Sequence, residues 1–140
     1  MKSDFCVAVH LLVFLNHKGR SLSSEELAEN ICTNAARVRK VAAKLKTAGL
    51  IETKEGVEGG YRFVGDAAKV TLEQVRAALG LRVVETNWLS GDMDQPCLVS
   101  SGMAGIMQEI LDHLDDCCRR ELEQKTIADI DRQIFKNLHA

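Results

Sequence analysis

Four glycines, Gly49, Gly56, Gly59 and Gly60, fall within twelve residues. A chain cannot stay helical through such a run, because glycine is among the poorest residues for a helix interior. Gly49 suits the left-handed residue that ends a helix. Leu50 to Lys54 and Gly60 to Val64 then flank Glu55-Gly56-Val57-Glu58-Gly59, which reads as strand, glycine-rich tip and strand. Upstream, Ser23 and Glu26 form a capping box, and Leu22 with Leu27 can staple the same helix start. That helix runs to about Ile31, and Thr33 is read as the next N-cap. Val38, Val41, Ala42 and Leu45 follow at i, i+3, i+4, i+7, the apolar face of a second helix.

Charge suggests what the second helix is for. Between Thr33 and Gly49 stand five cations, Arg37, Arg39, Lys40, Lys44 and Lys46, and no acid. Arg37, Lys40 and Lys44 lie at i, i+3, i+7 beside the apolar face. Such a helix, entered by a tight turn from another, suits a DNA major groove. A solvated charged helix packed on a core meets the same pattern, but the hairpin that follows favours DNA, since helix-turn-helix plus wing is a recurrent DNA-binding unit. Overall net charge is −2, which does not suggest indiscriminate nucleic-acid binding. Residues 1–66 carry ten Lys and Arg against eight Asp and Glu, whereas residues 67–140 carry eight against twelve. The acidic part would face away from phosphates. Aromatic residues are too few for a platform of stacked rings.

The expected architecture is mainly α with a small β-hairpin wing, followed by a long C-terminal dimerisation helix. Residues 1–80 form a winged helix-turn-helix domain, 81–97 a linker loop and 98–140 the dimerisation helices. Phe5 to Leu15 is apolar nearly all round, which implies burial on most sides, including against a second subunit. His10 on this helix reads as a core or interface histidine. The run is too short to span a membrane and lacks a cleavage site, so a cytoplasmic chain with free thiols is expected. Thr71 and Gln74 repeat the capping box, with Gly80 as the stop. From about Leu98 to Lys125, Met103, Met107, Ile110, Leu114 and Cys117 step by four and three, a coiled-coil-like seam. A helix of some 25 residues extends about 37 Å, and a partner helix from a second copy is the economical cover. Thr126 caps a last helix with the stripe Ile127, Ile130, Ile134 and Leu138.

Thr33-Asn34-Ala35-Ala36-Arg37-Val38-Arg39-Lys40, Ala48-Gly49-Leu50-Ile51, Gly56 and Gly59-Gly60-Tyr61-Arg62 together resemble the Rrf-two family of bacterial transcription regulators. Val70-Thr71-Leu72 and Thr126-Ile127-Ala128-Asp129-Ile130 also look like family landmarks. The resemblance implies a homodimer with crossing long helices that binds an inverted repeat in double-stranded DNA and acts as a repressor. It implies a recognition helix at about 33–48 with Asn34, Arg37 and Lys40 in the groove. It also implies a wing at about 50–64 served by Lys54, Gly59, Gly60, Tyr61 and Arg62. Thr33 would offer its backbone N–H and hydroxyl to a phosphate. Two departures stand out: Glu55 and Glu58 occupy wing positions that are often basic, and Cys97 is alone where cluster-binding members place three cysteines.

One cysteine cannot hold an iron–sulfur cluster, which takes about four protein ligands, so no cofactor is expected. The sequence has no C-x-x-C pair for zinc. Thiol sensing is the milder alternative, with Cys97 in an exposed loop and Cys32 just before the recognition helix as candidates. Cys6, Cys117 and Cys118 read as small buried hydrophobes. No Walker, Rossmann, zinc-protease or nucleophile-elbow motif occurs, so the chain reads as a non-enzyme. A winged-helix adaptor that binds protein rather than DNA is the competing class, and the acid-free recognition helix argues against it.

Overall fold

The computed structural model describes residues 2–57 and 59–136, so Glu58 and Leu138 lie outside the described residues. The chain forms two compact bodies, Met1–Leu81 with Leu122–Ala140, and Arg82–Glu121.

The first body is organised around α1, Lys2–Lys18. Its Val7, Ala8, Leu11, Leu12 and Leu15 are buried, and each fully buried leucine contributes roughly 1.5–3 kcal/mol. Gly19 ends the helix in the left-handed region. Helices α2 (Ser24–Ile31) and α3 (Ala35–Thr47) then cross, with Leu27, Val38, Val41, Ala42 and Leu45 turned onto α1. Strands β1 (Ile51–Lys54) and β2 (Gly60–Phe63) pair antiparallel, Ile51 opposite Phe63 and Lys54 opposite Gly60. Leu22 and Tyr61 exchange two backbone hydrogen bonds of 2.9 and 2.8 Å, which fastens the wing to the entrance of α2.

Three local expectations are corrected. The α2 box is half formed: Ser23 accepts from the Glu26 amide, but the Glu26 carboxylate pairs with Arg20 at 3.3 Å. Asn34, not Thr33, caps α3, accepting from the Arg37 amide at 2.8 Å. The reason lies in how α2 ends. Cys32 takes φ 64°, a left-handed C-cap, and the Thr33 N–H closes back on the Ala28 carbonyl at 3.0 Å. The Thr33 amide is therefore spent inside the turn and is not offered to a phosphate.

Helix α4, Leu72–Leu79, carries the full box of Thr71 and Gln74 and stops at left-handed Gly80. Helix α6, Ile127–Phe135, has its own box of Thr126 and Asp129. It belongs to the first body, not to the one that holds most of α5. It packs on α1, with Ile127 fully buried and Thr71 bridged to Thr126, while Ile134 of the same stripe stays 56% exposed.

The second body holds α5, Leu98–Leu122, up to Glu121. The preceding segment is not a free linker. Buried Asp115 accepts the amides of Val83 and Val84 at 2.8 and 2.9 Å, and Arg82 approaches it at 3.7 Å. Met103 and Met107 are half-buried, whereas Ile106, Ile110 and Leu114 are about half exposed, at 56%, 45% and 46%. Cys6 and Cys117 are exposed and Cys118 half-buried, contrary to the expectation of small buried hydrophobes. Each lies on a helix face that a single copy leaves open. His10 is also at the surface rather than in the core, its Nε2 2.8 Å from Asn30 Oδ1.

Candidate nucleic-acid interface

Opposite its buried stripe, α3 presents Ala36, Arg39, Lys40, Ala43 and Lys44 to solvent. The five cations meet different fates. The Arg37 guanidinium turns back to the start of α1, where Asp4 and Ser3 hold it, and its side chain is 34% exposed. Arg39 leans toward the start of α2, 3.3 Å from Ser24 Oγ and 3.9 Å from Glu25. Lys46 donates to Thr53 on β1 at 2.9 Å and ties the helix to the wing. Lys40 and Lys44, one turn apart, have no partner among the described residues. They are the unpaired positive charge of this face, and Asn34 at the start of the helix spends its side-chain oxygen on the cap.

In the wing, Lys54, Glu55 and Val57 are exposed. Arg62 pairs with Glu52 directly across the hairpin, so its charge is locally neutralised. Tyr61 is half-buried against the core, and its backbone is committed to Leu22. Gly59 and Gly60 are required by space. A Cβ at Gly59 would meet the Lys54 carbonyl oxygen at 2.3 Å, and one at Gly60 the Leu22 carbonyl oxygen at 2.3 Å. These two glycines therefore shape the wing. Arg20, Lys54 and Arg62, with Ser23 and Glu26, line one cleft between the α1–α2 turn and the wing. Arg20 was not expected there. Its only sequence signal is the basic turn that contains it.

The two candidate thiols differ. Cys97 is exposed at the start of α5, and the amides of Ser100 and then Val99 hold its thiol below the usual range. Cys32 is exposed, but its Sγ faces the carbonyls of Glu29 and Asn30 at 3.7 and 3.9 Å, not the free amides of α3. Cys117 is the thiol sequence reasoning passed over, with His113 Nε2 at 3.8 Å and Arg120 at 3.3 Å. Elsewhere in the first body, Phe5, Val9, Phe14, Leu72, Ile134 and Phe135 line an apolar groove of about 570 Å³.

A family model described as Rrf2, iron-dependent transcriptional regulator, matches residues 1–133. YwnA of Bacillus subtilis, named as an HTH-type transcriptional regulator, is 24% identical over 96% of this chain and 99% of its own. A crystal structure of a transcriptional regulator from Lactobacillus plantarum superposes with TM-score 0.82 at 24% identity, covering 99% of this chain and 93% of that one. CymR, the global cysteine regulator of B. subtilis, superposes with TM-score 0.70 at 16% identity, covering 95% and 96%. Among the described residues, no three His, Cys, Asp or Glu side chains are placed to share a metal, and the loop before α5 offers Cys97 alone.

Proposed function

The chain belongs to the Rrf2 family of transcriptional regulators, and from that premise we propose that it is a repressor that binds an inverted-repeat operator as a homodimer. The observation that carries the DNA reading is the capped helix α3 with unpaired Lys40 and Lys44 on its solvent face, beside the wing fastened at Leu22. In this reading α3 enters the major groove. Lys40 and Lys44 meet phosphates, and Arg20, Lys54 and the wing follow the adjacent minor groove. Support for self-association is the half-exposed stripe Ile106, Ile110 and Leu114 on α5, with Met103, Met107 and Cys117 in the same seam. A second copy covers such a stripe at the least cost in new sequence.

The regulator proposed here works in the cytoplasm and without an iron–sulfur cluster. Among the described residues no helix is long and apolar enough to cross a membrane. Thiol sensing at Cys97 is a second reading, supported by the amides that favour its thiolate. Selection of bound sequences from random DNA with the purified protein tests the main reading. A palindromic motif is the expected result. Failure to enrich any sequence would overturn it and bring the protein-adaptor reading forward.

A further inference from the structure

The first turn of α1 reaches the starting end of α3. Arg37 Nε donates to Asp4 Oδ1 at 3.0 Å, and Nη2 lies 2.9 Å from the same oxygen. Nη2 also donates to Ser3 Oγ at 2.7 Å. Asp4 is largely shielded, with 14% of its side chain exposed. It stands in the first turn of α1, where the helix dipole favours an acid. The Arg37 backbone is fixed at the same time, its amide on the Asn34 cap at 2.8 Å. Both ends of Arg37 are thus held, and Nη1 has no hydrogen-bond partner among the described residues. Ser3, Asp4, Ala36, Arg37 and Lys40 line one shallow hollow between the starts of the two helices.

We propose that Asp4, assisted by Ser3, is a specificity-determining positioning residue of the DNA interface, fixing the Arg37 guanidinium so that Nη1 is the edge a base meets. This rests on the DNA reading of α3 given above. An unrestrained arginine must be ordered when it binds and can reach several acceptors. One clamped through Nε and Nη2 loses less freedom and can satisfy fewer bases. A free guanidinium can meet a guanine edge through two donors, whereas the clamp leaves Arg37 a single directed donor. It also sets an acid near the phosphates, which weakens attraction to any DNA. The two effects oppose each other, and that opposition marks a positioning role. Removing the acid raises affinity for all DNA while discrimination between sequences falls. If Asp4 served only the fold, affinity for the operator and for scrambled DNA would move together.

The test titrates the parent, Asp4→Asn, Ser3→Ala, Arg37→Ala and Asp4→Asn/Arg37→Ala against the selected operator, its single-base-pair variants and a scrambled duplex. Asp4→Asn should tighten binding to the scrambled duplex and lower discrimination at one base pair roughly fivefold, the worth of a single good base contact. In the Arg37→Ala background it should cause no further loss of discrimination, because Asp4 acts through Arg37. Ser3→Ala removes one clamp without changing charge, and covers the case in which Asp4→Asn fails to fold. It should lower discrimination at the same base pair. Unchanged discrimination in the folded single variants, or an equal loss with and without Arg37, overturns the assignment alone. A parent that shows no discrimination overturns the DNA reading of α3 and this assignment with it.

Discussion

Gly60→Ala separates the two reasons a wing glycine can matter. At Gly60 φ is 144°, and a Cβ there would sit 2.3 Å from the Leu22 oxygen and 2.6 Å from its carbonyl carbon. Both are backbone atoms of a residue only 1% exposed, so no flexible side chain can yield. Relief requires β2 to leave Leu22, which breaks the two Leu22–Tyr61 hydrogen bonds of 2.9 and 2.8 Å. Those bonds contribute about 1 kcal/mol each. Holding alanine at this φ costs about 1–3 kcal/mol more. The reduced entropy of the unfolded chain offsets about 0.4–1 kcal/mol. The net loss is about 3 kcal/mol, which lowers Tm by roughly 6–12 °C for a domain of this size. Gly56→Ala is the control, since its φ is 108° but a Cβ there meets nothing within 4 Å. It carries the same φ strain without the broken hydrogen bonds, so it should cost about 2 kcal/mol less than Gly60→Ala. Thermal melts of the two variants, with hydrogen exchange at the Leu22 and Tyr61 amides, decide the matter. Equal melts with the Tyr61 amide still protected would refute the close-approach argument.

Three further outcomes are expected. Sedimentation at micromolar concentration should give a dimer that Ile110→Asp with Leu114→Asp dissociates, since each substitution puts a charge into the apolar stripe, whereas a compact parent monomer would refute the seam. Lys40→Ala and Lys44→Ala should each flatten the dependence of log K on log salt by about 0.9 if each makes one phosphate contact, and an unchanged slope for both removes them from the interface. The Ser100 and Val99 amides lower the Cys97 pKa, so its reactive thiolate should form at lower pH than at an ordinary thiol. Alkylation mapped from pH 6 upward should label Cys97 at lower pH than a free cysteine-containing peptide, and matching profiles would contradict this.

Local chemistry was the most legible in the sequence. Thr71-x-x-Gln74 and Thr126-x-x-Asp129 form the boxes they spell, because a cap and its third residue meet without help from the rest of the chain. Glycine spacing located the wing for the same reason. The Thr33 cap failed because it depends on Cys32 taking a left-handed φ, which is uncommon for a residue with a Cβ. The fate of Arg37 could not be read either, since Asp4 stands 33 residues away and only the packing of α1 on α3 brings them together. The stripe of α6 announced that the helix docks, but a stripe carries no address: Ile127 docks on α1 and Ile134 stays exposed. For the candidate site, residue type was legible and availability was not.

Availability changes the electrostatic argument. Counted from the sequence, α3 brings five cations to a groove. In the fold, Asp4 and Glu25 pair with Arg37 and Arg39, Thr53 holds Lys46 without cancelling its charge, and Lys40 and Lys44 lack a partner among the described residues. Arg62 is neutralised by Glu52 in the wing, and exposed Glu55 sets a repelled charge near its tip. One copy therefore has few free charges with which to release counterions, and counterion release supplies nearly all of the non-specific attraction to DNA. A protein so sparing of charge would hold random duplex weakly as a single copy. Two copies joined through α5, as proposed above, would turn the second contact into an intramolecular event, so that affinity would be recovered only where two half-sites lie at the matching spacing. Weak charge on each reading head and an uncovered stripe on the long helix thus favour the same design, in which sequence selectivity comes from pairing two modest contacts.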